Sequence, residues 1–98
     1  MQINEFQEQL DDQLTMVDVW APWCGPCRTL TPIIEKVSEE KSVKLLKVNA
    51  DDSRELASDF DVRGIPTVIF FKGGQEVDRI VGLKEAKIYN EIIEKHLS

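Results

Sequence analysis

The sequence of 98 residues has few cysteine and histidine side chains, the ligands of structural zinc: two cysteines, Cys24 and Cys27, and one histidine, His96. Two closely spaced cysteines do not provide the long-range disulfides that stabilise small secreted domains. A structural zinc site takes four ligands, so these residues leave it one short within one chain. Arg28 follows Cys27 where haem attachment requires histidine, and an iron–sulfur cluster takes about four thiolates, which needs a dimer. Counting therefore favours a redox dithiol, with a zinc- or cluster-bridged dimer as the alternative.

Long apolar runs and basic clusters are also missing. The longest purely apolar run is residues 68–71, whereas a membrane helix needs about 20 residues. Twelve Lys and Arg against 18 Asp and Glu give a net charge of −6, which argues against a nucleic-acid partner. Residues 1–10 have neither the basic start nor the apolar core of a secretion signal. We therefore expect a cytoplasmic protein with no nucleic-acid or membrane partner.

The organisation of the chain is simple, because no linker, repeat or low-complexity segment interrupts it. Its length suits one domain, residues 1–98. Hydrophobic periodicity predicts helices at residues 4–14, 24–41, 52–60 and 84–97 and strands at residues 15–20, 43–49, 68–71 and 75–81. Gly73-Gly74 is typical of a hairpin turn. This order predicts parallel βαβ units followed by an antiparallel hairpin, an α/β fold.

The two cysteines lie at the start of the second predicted helix. The apolar stripe of that helix begins at Cys27 and continues through Leu30 and Ile34. Backbone N–H groups at a helix N-terminus stabilise a thiolate, so we expect a lowered pKa for Cys24. One turn later, Cys27 falls within the Cα separation of about 5.5–6 Å that an unstrained disulfide accepts. We expect Cys24 to attack a substrate disulfide and the more buried Cys27 to resolve the mixed disulfide.

Asp18 interrupts an otherwise apolar predicted strand, on the same face as Met16 and Trp20. Two interpretations stay open, because a buried carboxylate is costly. Asp18 is either solvated on an edge strand, or it is a desolvated carboxyl of raised pKa that accepts the proton of Cys27. Lys47, in the neighbouring strand, is either a surface lysine or points toward Asp18 and lowers the pKa of that carboxyl.

Residues 20–27 read Trp-Ala-Pro-Trp-Cys-Gly-Pro-Cys and resemble the active-site motif of the thioredoxins, the small protein-disulfide reductases. From about Phe6 to the C-terminus, the resemblance continues in order and spacing through Asp18, Pro32, Lys47, Gly64-Ile65-Pro66-Thr67, Gly74 and Gly82. It implies a thioredoxin fold, with a central mixed sheet flanked by helices. It also implies a cis Ile65–Pro66 peptide bond facing the dithiol.

The resemblance further implies a docking surface and partners. The docking surface, where clients would bind around the dithiol, would comprise Trp23, Ala50, Ile65, Pro66 and Gly82. Gly25 and Pro26 between the cysteines match the reducing members of the superfamily and would tune the redox potential. In this family a flavoprotein thioredoxin reductase supplies electrons from NADPH, so the chain itself would bind no cofactor. Disulfide-containing client proteins would be its other partners.

The N-terminus departs from the family pattern, which usually has an edge strand before the first helix, whereas three residues precede Asn4 here. We therefore expect four strands, or a vestigial fifth, with residues 43–49 exposed at the sheet edge. We expect a monomer. The predicted function is reduction of protein disulfides by a thiol–disulfide oxidoreductase; the alternative is a non-catalytic binding module that uses the same docking surface.

Overall fold

The computed structural model describes residues 3–97 of the chain, and side chains from residue 5 onward. These residues form helices α1 (Ile3–Glu8), α2 (Gly25–Lys41), α3 (Arg54–Asp59) and α4 (Ala86–Leu97) and strands β1 (Thr15–Trp20), β2 (Lys44–Asn49), β3 (Thr67–Lys72) and β4 (Gln75–Val81). The order of the elements is the predicted one. None of these helices is long and apolar enough to cross a membrane.

The strands form one mixed sheet in the order β2-β1-β3-β4. β1 is parallel to β2, with Asp18 opposite Lys47, whereas β3 is antiparallel to both β1 and β4. The prediction of parallel βαβ units is therefore correct for β1-α2-β2 and wrong for β3. The connection over residues 50–66 starts and ends at the same end of the sheet, so β3 runs in the direction opposite to β1 and β2.

This topology gathers three strand ends at one end of the sheet. The C-terminal ends of β1 and β2 lie side by side, with Trp20 opposite Asn49, and β3 starts at Thr67 next to Val19. β2 is an edge strand of the described sheet, as expected for residues 43–49. The sheet has the four expected strands, and residues 1–2, the possible location of a vestigial fifth, lie outside the described residues.

Apolar clusters cover both faces of the sheet, because successive residues of β1 point to opposite sides. On one face, Met16 packs into a cluster with residues of α2 and α4 that include Leu30, Ile34, Tyr89 and Ile93. On the other face, Val17 and Val19 join a cluster that includes Phe6, Leu56, Ile69 and Phe71. Each such side chain contributes about 1.5–3 kcal/mol when fully buried. The central strand β1 is therefore fixed from both sides.

The end of the first helix differs from the prediction. Helix α1 ends at Glu8 rather than at residue 14. Beyond it, Asp11 Oδ1 accepts a hydrogen bond of 2.8 Å from the backbone N–H of Gln13. This local turn competes with continuation of the helix.

Gly73 and Gly74 form the predicted hairpin turn with φ of +62° and +77°, values that favour glycine.

Candidate active site

The two cysteines lie where the chain passes from β1 into α2. Cys24 is the N-cap of α2, and its Sγ accepts a hydrogen bond of 3.2 Å from the backbone N–H of Cys27. Pro26 fits the first turn of the helix, where a missing N–H costs nothing. The predicted position of Cys24 at the helix N-terminus is therefore confirmed. A thiolate at this sulfur is stabilised by the N–H group of Cys27 and by the helix dipole.

Cys24 and Cys27 are joined by a disulfide bond, with their Cα atoms 5.3 Å apart. This separation lies in the usual range for disulfides. Both residues are buried, Cys24 at 4% exposure and Cys27 at 1%. Cys27 is the more buried of the two, as expected. The structure therefore represents the oxidised state of the dithiol.

The Ile65–Pro66 loop forms one wall of the site. The peptide bond between these residues is cis, and Ile65 packs against the buried cluster that contains both cysteines. The carbonyl oxygen of Pro66 accepts a hydrogen bond of 2.8 Å from the N–H of Gly82. Gly82 has a φ of +92°, in which a side chain would be strained. The structure therefore brings this loop and Gly82 to the dithiol end of the sheet.

A groove of about 400 Å³ opens beside the dithiol. It is lined by Trp23, Ala50, Ala57, Val62, Arg63, Gly64 and Ile65. Trp23 is 68% exposed, and its Nε1–H donates a hydrogen bond of 3.0 Å to Asp51 Oδ2. Three of the predicted docking residues, Trp23, Ala50 and Ile65, therefore line one groove. Gly82 is not part of this lining and is linked to it through Pro66.

Four residues of this region were not predicted from the sequence: Asp51, Ala57, Val62 and Arg63. Asp51 directly follows Ala50 after the end of β2, and its backbone N–H donates a hydrogen bond of 2.9 Å to Asn49 Oδ1. The parallel register of β1 and β2 was a signal that could have placed Asp51 near Trp23. Val62 and Arg63 lie in the loop before β3, for which the sequence carries no comparable signal.

Asp18 is 1% exposed, and within the described part of the chain its Oδ1 has no hydrogen-bond partner. Burial raises the pKa of Asp18 to about 6, the Lys47 ammonium lowers it, and the Glu35 carboxylate raises it. The interpretation of Asp18 as a solvated residue on an edge strand is therefore wrong, since β1 is central and covered on both faces. Near neutral pH this carboxyl is able to release and accept a proton.

Lys47 lies opposite Asp18 in the β1–β2 register, and its Nζ is 3.3 Å from Glu35 Oε2 on α2. The side chain is partly solvated and also lowers the pKa of Asp18, so both interpretations of Lys47 hold in part. Glu35 was not predicted as a site residue. Residues 3–97 contain no group of three or more His, Cys, Asp or Glu residues placed to hold a metal ion.

Comparisons with known proteins agree on one family. A family model described as Thioredoxin matches residues 1–95. Thioredoxin 1 of Nostoc sp. is 44% identical over 94 residues, which cover 93% of this chain and 88% of the relative. Thioredoxin of Synechocystis sp. is 43% identical over 94 residues, with the same two coverages.

Solved structures give the same result. The X-ray structure of Fasciola hepatica thioredoxin superposes with a TM-score of 0.85 at 37% identity, covering 96% of this chain and 90% of that one. Reduced Schistosoma mansoni thioredoxin superposes with a TM-score of 0.86 at 34% identity, covering 96% and 91%. The chain is thus similar in sequence and in fold to proteins that carry one common name.

Proposed function

The chain belongs to the thioredoxin family and is a thiol–disulfide oxidoreductase, and on this premise we propose that it works as a reductant of disulfides in client proteins. The observation that carries this proposal is the position of Cys24, whose Sγ caps α2 and accepts the Cys27 N–H. The non-catalytic binding module is not favoured, because the relatives are named thioredoxins and the cysteine pair is within disulfide distance.

In the first step, the Cys24 thiolate attacks one sulfur of the client disulfide. A bond forms between Cys24 Sγ and that sulfur, the client S–S bond breaks, and the other client sulfur leaves as a thiolate. The N-terminus of α2 favours the attacking anion over the neutral thiol. Gly25 and Pro26, which separate the cysteines, match the reducing members of the superfamily, and we propose that they tune the redox potential.

In the second step, Cys27 resolves the mixed disulfide. The Asp18 carboxylate takes the Cys27 proton, directly or through a water, and the Cys27 thiolate attacks Cys24 Sγ. The client's second sulfur leaves as a thiolate, so two electrons have passed to the client and Cys24–Cys27 is oxidised. A pKa of about 6 for Asp18 suits this exchange near neutral pH. Lys47 acts by tuning that pKa.

Clients bind at the docking surface, which surrounds the dithiol with apolar groups: Trp23, Ala50, Ile65, Pro66 and Gly82. We propose that the backbone at Ile65 pairs with an extended client segment, as an added strand does. The exposed indole of Trp23 and the adjoining groove support this proposal.

The remaining proposals concern the protein's setting. We propose that a flavoprotein thioredoxin reductase regenerates the dithiol with electrons from NADPH, and that the chain itself binds no cofactor. We further propose that it acts as a monomer with one domain, residues 1–98, in the cytoplasm.

The proposal is tested by the reduction of insulin disulfides in the presence of dithiothreitol. The protein should accelerate insulin precipitation, and Cys24→Ser should abolish the acceleration. Cys27→Ser is the matched variant: it retains the attacking thiol and, when reduced beforehand and mixed with insulin in the absence of dithiothreitol, should accumulate a covalent mixed disulfide on non-reducing gels. No acceleration by the wild-type protein, or unchanged activity in Cys24→Ser, would refute the proposal.

A further inference from the structure

The Lys47 ammonium lies near two carboxyl groups of very different exposure. Asp18 is its register partner on β1 and is almost completely buried. Glu35 on α2 is half exposed, at 52% of its side chain, and its Oε2 is 3.3 Å from Lys47 Nζ. Within residues 3–97, the ion pair of Lys47 is with Glu35, and Asp18 Oδ1 stays without a hydrogen-bond partner.

This arrangement is unusual, because a buried carboxylate without a partner is far more costly than a solvated one. A direct pair between Lys47 and Asp18 would lower that cost and would also hold Asp18 ionised. Glu35 follows the buried Ile34 on α2, and its own side chain is half exposed. Its carboxylate therefore pairs with the Lys47 ammonium in contact with solvent, outside the core.

We propose that Glu35 is a positioning residue, which binds the Lys47 ammonium at the protein surface and thereby leaves the buried Asp18 carboxyl unpaired. An unpaired carboxyl is a stronger base than one paired with an ammonium, because its ionised form is less stabilised. The contribution of Glu35 to turnover rests on the proposed function, in which Asp18 accepts the proton of Cys27.

The charged and titratable groups that act on Asp18 come from three neighbouring elements. Lys47 on β2 lowers the pKa of Asp18 and Glu35 on α2 raises it. On α4, burial raises the pKa of Tyr89, a backbone hydrogen bond at Lys84 lowers it, and the charge of Asp18 raises it. The net shift is upward, so this phenol is neutral near pH 7. Glu35 and Lys47 are therefore the charged groups of this set, and the reduced dithiol is the proposed proton donor.

The direct test is a titration of the Asp18 carboxyl carbon by NMR in the reduced, ¹³C-labelled protein. In Glu35→Gln, the midpoint should move toward acid, raising the ionised-to-protonated ratio of Asp18 near pH 6 by about 3–10-fold. Glu40→Gln is the matched control, because it removes the same charge from α2 at an exposed pair with Lys36. The control should leave the midpoint unchanged, and an unchanged midpoint in Glu35→Gln would overturn the inference.

A second measurement separates positioning from a simple charge effect. In a Lys47→Gln background, the change caused by Glu35→Gln should fall to less than half, since the ammonium that Glu35 holds is gone. An equal change in both backgrounds would overturn the positioning role. The pH profile of insulin reduction tests the premise that Asp18 accepts the proton of Cys27. If Glu35→Gln moves the titration midpoint of Asp18 but leaves this pH profile unchanged, Asp18 is not the proton acceptor. The inference that Glu35 holds Lys47 would then still be supported.

Discussion

Replacing Asp18 with asparagine should stabilise the oxidised protein, and the gain should depend on pH. The carboxyl has a pKa of about 6 in the folded protein, against 3.8 for an unperturbed aspartate. This difference corresponds to about 3 kcal/mol between the two protonation states. Because the raised pKa comes chiefly from burial, the penalty belongs to the ionised form and is removed with it.

The sign follows from proton linkage. Between pH 3.8 and about 6, the folded protein retains the Asp18 proton that the unfolded chain has released, so the free energy of unfolding decreases as the pH rises. Below this window the penalty is absent, and above it the penalty is complete. The advantage of Asp18→Asn should therefore be about 3 kcal/mol larger near pH 7.5 than near pH 3.5. Comparing the two pH values cancels the cost of burying the amide.

The assay is urea unfolding of the oxidised protein, followed by far-UV circular dichroism at both pH values. Asp12→Asn is the matched control, because Asp12 is an exposed carboxylate; its effect should stay within about 0.5 kcal/mol at either pH. A difference between Asp18→Asn and wild type that is the same at both pH values would show that the carboxyl is not desolvated, and would refute the reasoning.

Two further predictions concern the docking surface and the core. Trp23→Ala should raise the KM for insulin about tenfold with little change in kcat or stability, because the exposed indole contributes binding area. Asp51→Ala, which removes the hydrogen-bond acceptor of the indole, should raise the KM less. An unchanged KM for Trp23→Ala in steady-state assays would contradict this prediction. Ile93→Ala should lower the free energy of unfolding by about 2–5 kcal/mol, since Ile93 is fully buried. Ile88→Ala, on the same helix at 36% exposure, is its control in urea unfolding, and equal losses would contradict the packing described for α4.

Sequence patterns predicted the elements whose signal is local. Strand β1 is mostly apolar, and Cys27, Leu30 and Ile34 form an apolar stripe at helical spacing along α2. Each of these signals extends over several residues, so the bounds of both elements were predicted within one residue. The direction of β3 was missed, because the order of helices and strands does not show whether residues 50–66 return the chain to the starting end of the sheet.

In the candidate site too, residues with a local sequence signal were predicted and residues that depend on distant partners were missed. Cys24 and Cys27 carry their chemistry in their spacing, and the docking residues came from the resemblance to a family. Asp51 and Glu35 were missed, because each acquires its role from a partner far away in sequence. Asp51 meets Trp23 across the ends of two strands, and Glu35 meets Lys47 between a helix and a strand. Such pairs are identified only when the relative positions of the helices and strands are known.

The most direct test of the account is the rate of alkylation of the two cysteines by iodoacetamide as a function of pH, read by mass spectrometry of the reduced protein. Cys24 should react first, with a titration midpoint well below that of a free cysteine thiol, because the N-terminus of α2 stabilises its anion. Cys27 should be protected until the protein unfolds. Faster labelling of Cys27, or a midpoint for Cys24 equal to that of a free thiol, would contradict it.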